Sequence, residues 1–195
     1  MFGVHINGGV QKLIYFLFGT NLVIGPQIKA QIEWLGNQVP SEFKGKALDD
    51  LGCGDGKITV RLKEVFQPSQ LRGFDVNPGL VVRARMRGIK AETLDLDESL
   101  PSGELAMVWG VLHHLRDTEA CLQRIARNYP LVFIREPIKN NRIDGFEMGR
   151  PLVKSEIEQL AAKYLPDSTI LYNYHCIFIF YVSPEYKKTA RLAAT

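Results

Sequence analysis

Short apolar or β-branched runs recur along the chain at intervals that a short helix can fill. Ala47 to Leu51, Gln70 to Val76, Lys90 to Leu96, Leu105 to Trp109 and Leu131 to Arg135 read as strands. Gly56 to Phe66, Pro78 to Arg87, Asp117 to Tyr129 and Lys154 to Tyr164 carry helical spacing. Strands alternating with helices predict a doubly wound α/β domain, because parallel neighbours need a right-handed crossover between them. Asp117 is placed to cap the third of these helices, and Ser155 with Glu158 has the spacing of a capping box for the fourth. The pattern then changes. Thr169 to Tyr174 and Cys176 to Val182 are joined with almost nothing between them, near His175, so they predict a hairpin whose last strand is antiparallel, at or near the sheet edge. A further helical stretch, Gln27 to Gln38, precedes the first strand.

The 195 residues suit one domain with a buried core, divided here into a helical cap segment over 1–45, a domain over 46–183 and a tail over 184–195. Apolar residues make up 46% and charged residues 23%, the balance of an ordinary globular protein. The net charge of +3 comes from basic residues spread along the chain, which does not favour nucleic acid as a partner. Cys53, Cys121 and Cys176 form no Cys-x-x-Cys pair and suggest a reducing, cytoplasmic setting. The apolar run Leu13 to Gly25 is broken by Gly19, Thr20 and Asn21, falls short of the roughly 20 residues of a membrane span and lacks a basic leader. It is expected to be buried or to cap the site, with Tyr15, Phe16 and Phe18 as core or lid residues.

In an open α/β sheet a ligand lies beyond the carboxyl ends of the strands. The first strand runs into Asp50-Leu51-Gly52-Cys53-Gly54-Asp55-Gly56-Lys57 and then a helix, a turn that lets a ligand approach the backbone closely. Asp75 ends the second strand, 19 residues past Gly56, where a carboxylate can accept ribose hydroxyls; Val76 and Asn77 follow it. Asp95 ends the third strand and can take an adenine amine beside the Leu96 N–H. A pyrophosphate fits poorly, because Asp55 occupies the loop and a carboxylate about 4 Å from a phosphate costs about 4 kcal/mol at an effective dielectric near 20. A cationic, hydroxyl-bearing ligand fits the acidic strand ends better. No His/Cys/carboxylate cluster suggests a metal.

These residues resemble the class I S-adenosylmethionine-dependent methyltransferases from about Lys46 to Val182. Leu48 to Gly56 is similar to that family's glycine-rich motif, with Asp49 where an apolar residue is usual. Gly73 to Pro78 resembles its ribose-binding turn, and Leu94-Asp95-Leu96 with Leu100-Pro101 its adenine motif. Trp109 to Leu115 is similar to the fourth motif of the branch containing the ubiquinone and menaquinone biosynthesis enzymes, and Glu104 stands where relatives often have Asp. The resemblance implies a Rossmann-like, seven-stranded, mostly parallel sheet with an antiparallel C-terminal hairpin strand. It also implies S-adenosylmethionine as cofactor, leaving S-adenosylhomocysteine, with Asp50, Gly52, Cys53, Gly54, Asp75, Val76, Asn77, Asp95, Leu96 and Trp109 at the cofactor.

Several roles stay open at this level. Asp50 contacts the cofactor ammonium or only satisfies loop donors. Trp109 walls the pocket or fills the core, and Cys53 reads as a packing group rather than a nucleophile. His113 and His114 are candidate bases, since imidazole titrates near neutrality, or local packing groups. Glu136 touches substrate or holds a basic neighbour, and the run Lys139 to Arg142 is a solvated loop or a contact for an acidic substrate. The expected acceptor is a small molecule. RNA or protein methylation, and a cofactor-binding module without catalysis, are the alternatives.

Overall fold

The computed structural model describes residues 26–139 and 152–193; the segment Leu13 to Gly25, with Tyr15, Phe16 and Phe18, and most of Lys139 to Arg142 lie outside them. The described chain runs α1 (Pro26–Gly36), β1 (Ala47–Leu51), α2 (Lys57–Phe66), β2 (Gln70–Asp75), α3 (Pro78–Met86), β3 (Lys90–Thr93), β4 (Leu105–Trp109), α4 (Thr118–Asn128), β5 (Leu131–Pro137), α5 (Lys154–Tyr164), β6 (Thr169–Asn173), β7 (Cys176–Val182) and α6 (Pro184–Ala193). Short 3-10 turns at Ser41–Phe43 and Leu112–His114 precede β1 and follow β4.

One seven-stranded sheet has the order β3-β2-β1-β4-β5-β7-β6. Its first five strands are parallel, and β7 runs antiparallel between β5 and β6. Strand order reverses between β1 and β4, so the crevice of the fold opens at the ends of those two strands. Both faces are covered. Side chains alternate along each strand: Val132, Ile134, Ile177 and Ile179 meet α4 and α5 through Leu122, Ile125 and Ile157. Leu131, Phe133, Phe178 and Phe180 meet α1 and α2 through Ile28, Ile32, Leu62 and Phe66.

Helix boundaries follow local chemistry. The Asp117 carboxylate accepts from the Ala120 N–H, as its position predicts. The capping box does not form: α5 begins at Lys154 after an extended Val153 with no side-chain cap, so Ser155 and Glu158 already lie inside the helix. The tail over 184–195 contains a helix, α6, whose first turn is capped by the Ser183 hydroxyl accepting from the Tyr186 N–H. β3 ends at Thr93 rather than Leu96, and β5 continues to Pro137, which pairs with Cys176. The hairpin turn is Tyr174-His175, both left-handed at φ 50 and 58. That is the two-residue turn whose twist matches antiparallel strands, built here without glycine.

Candidate functional site

The corner after β1 is held by its neighbours rather than by its own side chains. The N–H groups of Gly52 and Cys53 both donate to the Phe74 carbonyl, at 2.7 and 2.9 Å. The Gly54 N–H donates to Asp75 Oδ2 at 2.8 Å, and the Asn77 N–H to Asp75 Oδ1 at 2.9 Å. Asp75 therefore ties the ends of β1 and β2 together while each of its oxygens keeps a second acceptor site. Burial raises its pKa, and the two N–H groups oppose that rise. Gly52 has φ +88, and a Cβ there would stand 2.3 Å from the Val111 side chain, so only glycine lets the β4 loop close onto this corner.

Asp50 lies beneath the corner, 3% exposed. Its Oδ2 accepts from the Thr59 hydroxyl at 2.5 Å, and its Oδ1 is buried without a donor among the described residues. Burial pushes its pKa up to about 7; the Thr59 bond lowers it and the charge of Asp75 adds to it. Asp55 forms ion pairs with Lys57 and Arg87 at 3.7 and 3.6 Å, so part of its charge is met within the loop. Cys53 is buried, and burial drives its thiol well above the usual range, as a packing group requires.

Beyond β2, Val76 is 62% exposed, an apolar ledge at the rim. The Asn77 side chain caps α3, accepting from the Gly79 N–H at 2.9 Å. Asp95 stands two residues past the end of β3. Its Oδ1 accepts from the Asp97 N–H at 2.8 Å, and Oδ2 lies 3.5 Å from Arg116. Asp97 is the engaged member of that pair, receiving both the Arg116 and Asp117 N–H groups, which hold its carboxyl below the usual range against the opposing effect of burial. Leu96 is buried and its carbonyl accepts from Arg124.

Trp109 and Glu136, each with two readings open, both point inward. The Trp109 ring packs in the core against Phe133 and Phe178, so only the strand end it occupies reaches the crevice. Glu136 is fully buried. Its Oε1 accepts from the Val111 and Leu112 N–H groups at 2.6 and 2.7 Å, and its Oε2 lies 2.7 Å from His113 Nδ1. His114 stacks on His113 at 4.0 Å; desolvation first, and the neighbouring imidazole second, push its pKa down to about 4, although its outer edge is exposed to solvent. Sequence reasoning missed Arg135, whose guanidinium lies over Trp109 and donates to Gln31 of α1. A basic residue beside Glu136, at the end of an otherwise apolar strand, was the available signal.

A mostly parallel sheet with acidic strand ends, a glycine corner at the switch point and an antiparallel hairpin defines a Rossmann-like domain. Residues 50–128 match the family described as a methyltransferase domain. Two curated relatives are similar: methionine S-methyltransferase of Zea mays, 31% identical over 57% of this chain, and trans-aconitate 2-methyltransferase of Rhodococcus jostii, 37% identical over 30% of it. The aligned regions span 11% and 23% of those proteins. Among solved structures, the N-methyltransferase NodS of Bradyrhizobium japonicum with S-adenosylhomocysteine has the same fold, with a TM-score of 0.69 and 17% identity over 91% of this chain and 100% of NodS. No helix among the described residues is long and apolar enough to cross a membrane.

Proposed function

We propose that the protein transfers a methyl group from S-adenosylmethionine to a small-molecule acceptor, with residues 46–183 as the methyltransferase domain and the cytoplasm as its setting. The observation that carries the reading is the acidic row at adjacent strand ends. Asp50 lies near the end of β1, Asp75 closes β2 and Asp95 stands two residues past β3, around a corner that Asp75 ties together through the Gly54 N–H. The residues fit the cofactor. The unpartnered Oδ1 of Asp50 suits an ammonium group, the spare acceptor sites of Asp75 suit ribose hydroxyls, and exposed Val76 offers a face to adenine with Asp95 near its amine.

When bound, the cofactor supplies a methyl group on a sulfonium, whose C–S bond breaks in line as the bond to the acceptor forms. The chain contributes position and a dry site. Gly52, Cys53 and Gly54 present backbone to the cofactor, and Asn77 acts by fixing the turn after Asp75. His113 is the base for an acceptor that must lose a proton. Its Nδ1 is committed to Glu136, which leaves Nε2 free to receive one. Both curated relatives named above are described as acting on small carboxylic acids, methionine and trans-aconitate, which supports a metabolite acceptor.

Calorimetry with S-adenosylmethionine, S-adenosylhomocysteine and NAD tests the cofactor. Affinity for the first two and none for NAD is expected, with Asp75→Ala abolishing it; preference for NAD sinks the reading. Methyl-labelled cofactor incubated with separated metabolite, RNA and protein fractions tests the acceptor. Label in the metabolite fraction is expected, label in RNA or protein moves the acceptor to a macromolecule, and none in any fraction favours a binding module.

A further inference from the structure

Arg135 is a cation without a counterion among the described residues. It lies between Trp109 of β4 and Phe178 of β7 in the sheet register, on the face that Phe133 shares. Its Nε donates to Gln31 Oε1 at 3.1 Å, and its Cζ lies 5.1 Å from the centre of the Trp109 ring. Those contacts orient the guanidinium but do not neutralise it. The ion pairs found among the described carboxylates go to other bases, and the adjacent Glu136 points to the opposite face, where His113 and two N–H groups engage it. The indole Nε1 of Trp109 is also buried without an acceptor among the described residues. Donors accumulate here and an acceptor is missing.

The open position beside this cation is Gly110. A Cβ at Gly110 would meet Arg135 Nη1 at 3.4 Å and His113 Cε1 at 3.9 Å, with nothing else among the described residues beyond its chain neighbours within 4 Å. The guanidinium of Arg135 and the imidazole of His113 thus both approach Gly110 at the carboxyl end of β4, next to the switch point. A forked guanidinium pairs best with a planar carboxylate, whereas a dianionic phosphate beside the acidic strand ends would need more than one cation. The cofactor also carries a carboxylate, but its glycine corner is on β1, two strands from β5 at about 4.8 Å each. We propose that Arg135, oriented by Gln31 and Trp109, binds a carboxylate of the acceptor and places the adjoining part of that molecule beside His113 and the transferable methyl group. The proposal rests on the methyltransferase reading and narrows its substrate class to carboxylic acids.

The test uses protein saturated with S-adenosylhomocysteine and a set of aliphatic and aromatic mono-, di- and tricarboxylates, each paired with its methyl ester. Binding is read by calorimetry and by the ¹⁵N signal of the Arg135 Nε–H. The expected result is at least one acid that binds ten-fold or more tightly than its ester and shifts that signal. Arg135→Gln should remove the preference, Arg135→Lys should keep part of it, and both should bind S-adenosylhomocysteine within about two-fold of the unaltered protein. The proposal is overturned if no acid is preferred over its ester, or if Arg135→Gln binds acids as tightly as before. It is also overturned if Arg135→Gln weakens S-adenosylhomocysteine but not methylthioadenosine, which lacks the amino-acid end, because the cation then serves the cofactor. Loss of S-adenosylhomocysteine binding in the unaltered protein with the acid preference intact would instead count against the methyltransferase reading while upholding the anion site.

Discussion

His113 Nδ1 lies 2.7 Å from Glu136 Oε2, with both side chains buried at the end of the crevice. With Glu136 as a carboxylate, the imidazole is the donor, from Nδ1. The same carboxylate receives two N–H groups of the turn that carries His113, so it sets both the backbone and the ring. Glu136→Gln replaces one acceptor oxygen with a donor facing donors. It should cost about 1.5–3 kcal/mol in urea unfolding, the worth of a charge-assisted hydrogen bond, with S-adenosylhomocysteine affinity changed little. His113→Ala should leave that affinity intact and lower single-turnover methyl transfer about 100-fold for an acceptor that loses a proton. An undiminished rate would take His113 out of the chemistry.

Gly52 and Val111 make the corner a matter of packing as well as ligand access. Gly52→Ala meets Val111 Cγ2 at 2.3 Å and adopts a left-handed backbone at φ +88. The clash and the backbone strain together should destabilise the protein by about 2–4 kcal/mol. Pairing it with Val111→Ala should recover the steric part and leave about 1 kcal/mol of conformational strain. Strictly additive losses in denaturant titrations would show that the two side chains do not compete for one space.

The fold was legible because its determinants are local. β1, β4 and β7 have the predicted limits, and Asp117 caps α4, since apolar runs and a capping carboxylate act within a few residues of themselves. The alternatives stayed open where long-range packing decides. Trp109 turned to the core because Phe133 and Phe178 come from strands far along the chain, and Glu136 went inward because the β4 turn required an acceptor. Asp75 and Gly54 could be placed at one site from their motifs, whereas nothing local to Arg135 announces Gln31, 104 residues away.

Asp50 should make both stability and ligand affinity depend on pH. Its pKa is raised from 3.8 to about 7 in the folded protein, so the fold keeps a proton that the unfolded chain has released. Its contribution is fully present below about pH 3.8 and is lost as pH rises towards 7, on the order of 4 kcal/mol in total. Asp50→Asn cannot ionise. Its stability relative to the unaltered protein should therefore improve steadily between pH 5 and 7 in urea titrations, and a constant difference would show that Asp50 is ionised throughout. Binding of a cationic amino-acid end favours the ionised form, so S-adenosylhomocysteine affinity should rise with pH up to about 7 in the unaltered protein and lose that slope in Asp50→Asn.

Asp49, placed where an apolar residue is usual in similar sequences, is 2% exposed. Arg72, its register partner on β2, holds it with two bonds of 2.7 and 2.6 Å, and the Tyr129 hydroxyl donates to it at 2.8 Å. Desolvation, and then the charge of Asp49, raise the Tyr129 pKa, which keeps the phenol a donor. Removing only the cation strands a carboxylate in the core. A fully buried pair broken this way loses about 3–5 kcal/mol, but the Arg72 side chain is 40% exposed, so Arg72→Met should cost about 2–3 kcal/mol. Replacing the whole group with Asp49→Val, Arg72→Leu and Tyr129→Phe restores the pattern usual at this strand and should return stability to within about 1 kcal/mol of the starting protein, since desolvation cancels most of the attraction within such clusters. If the triple variant is instead as unstable as Arg72→Met, the network holds β1, β2 and the end of α4 in register, and the charge in the strand is a structural requirement rather than a tolerated substitution.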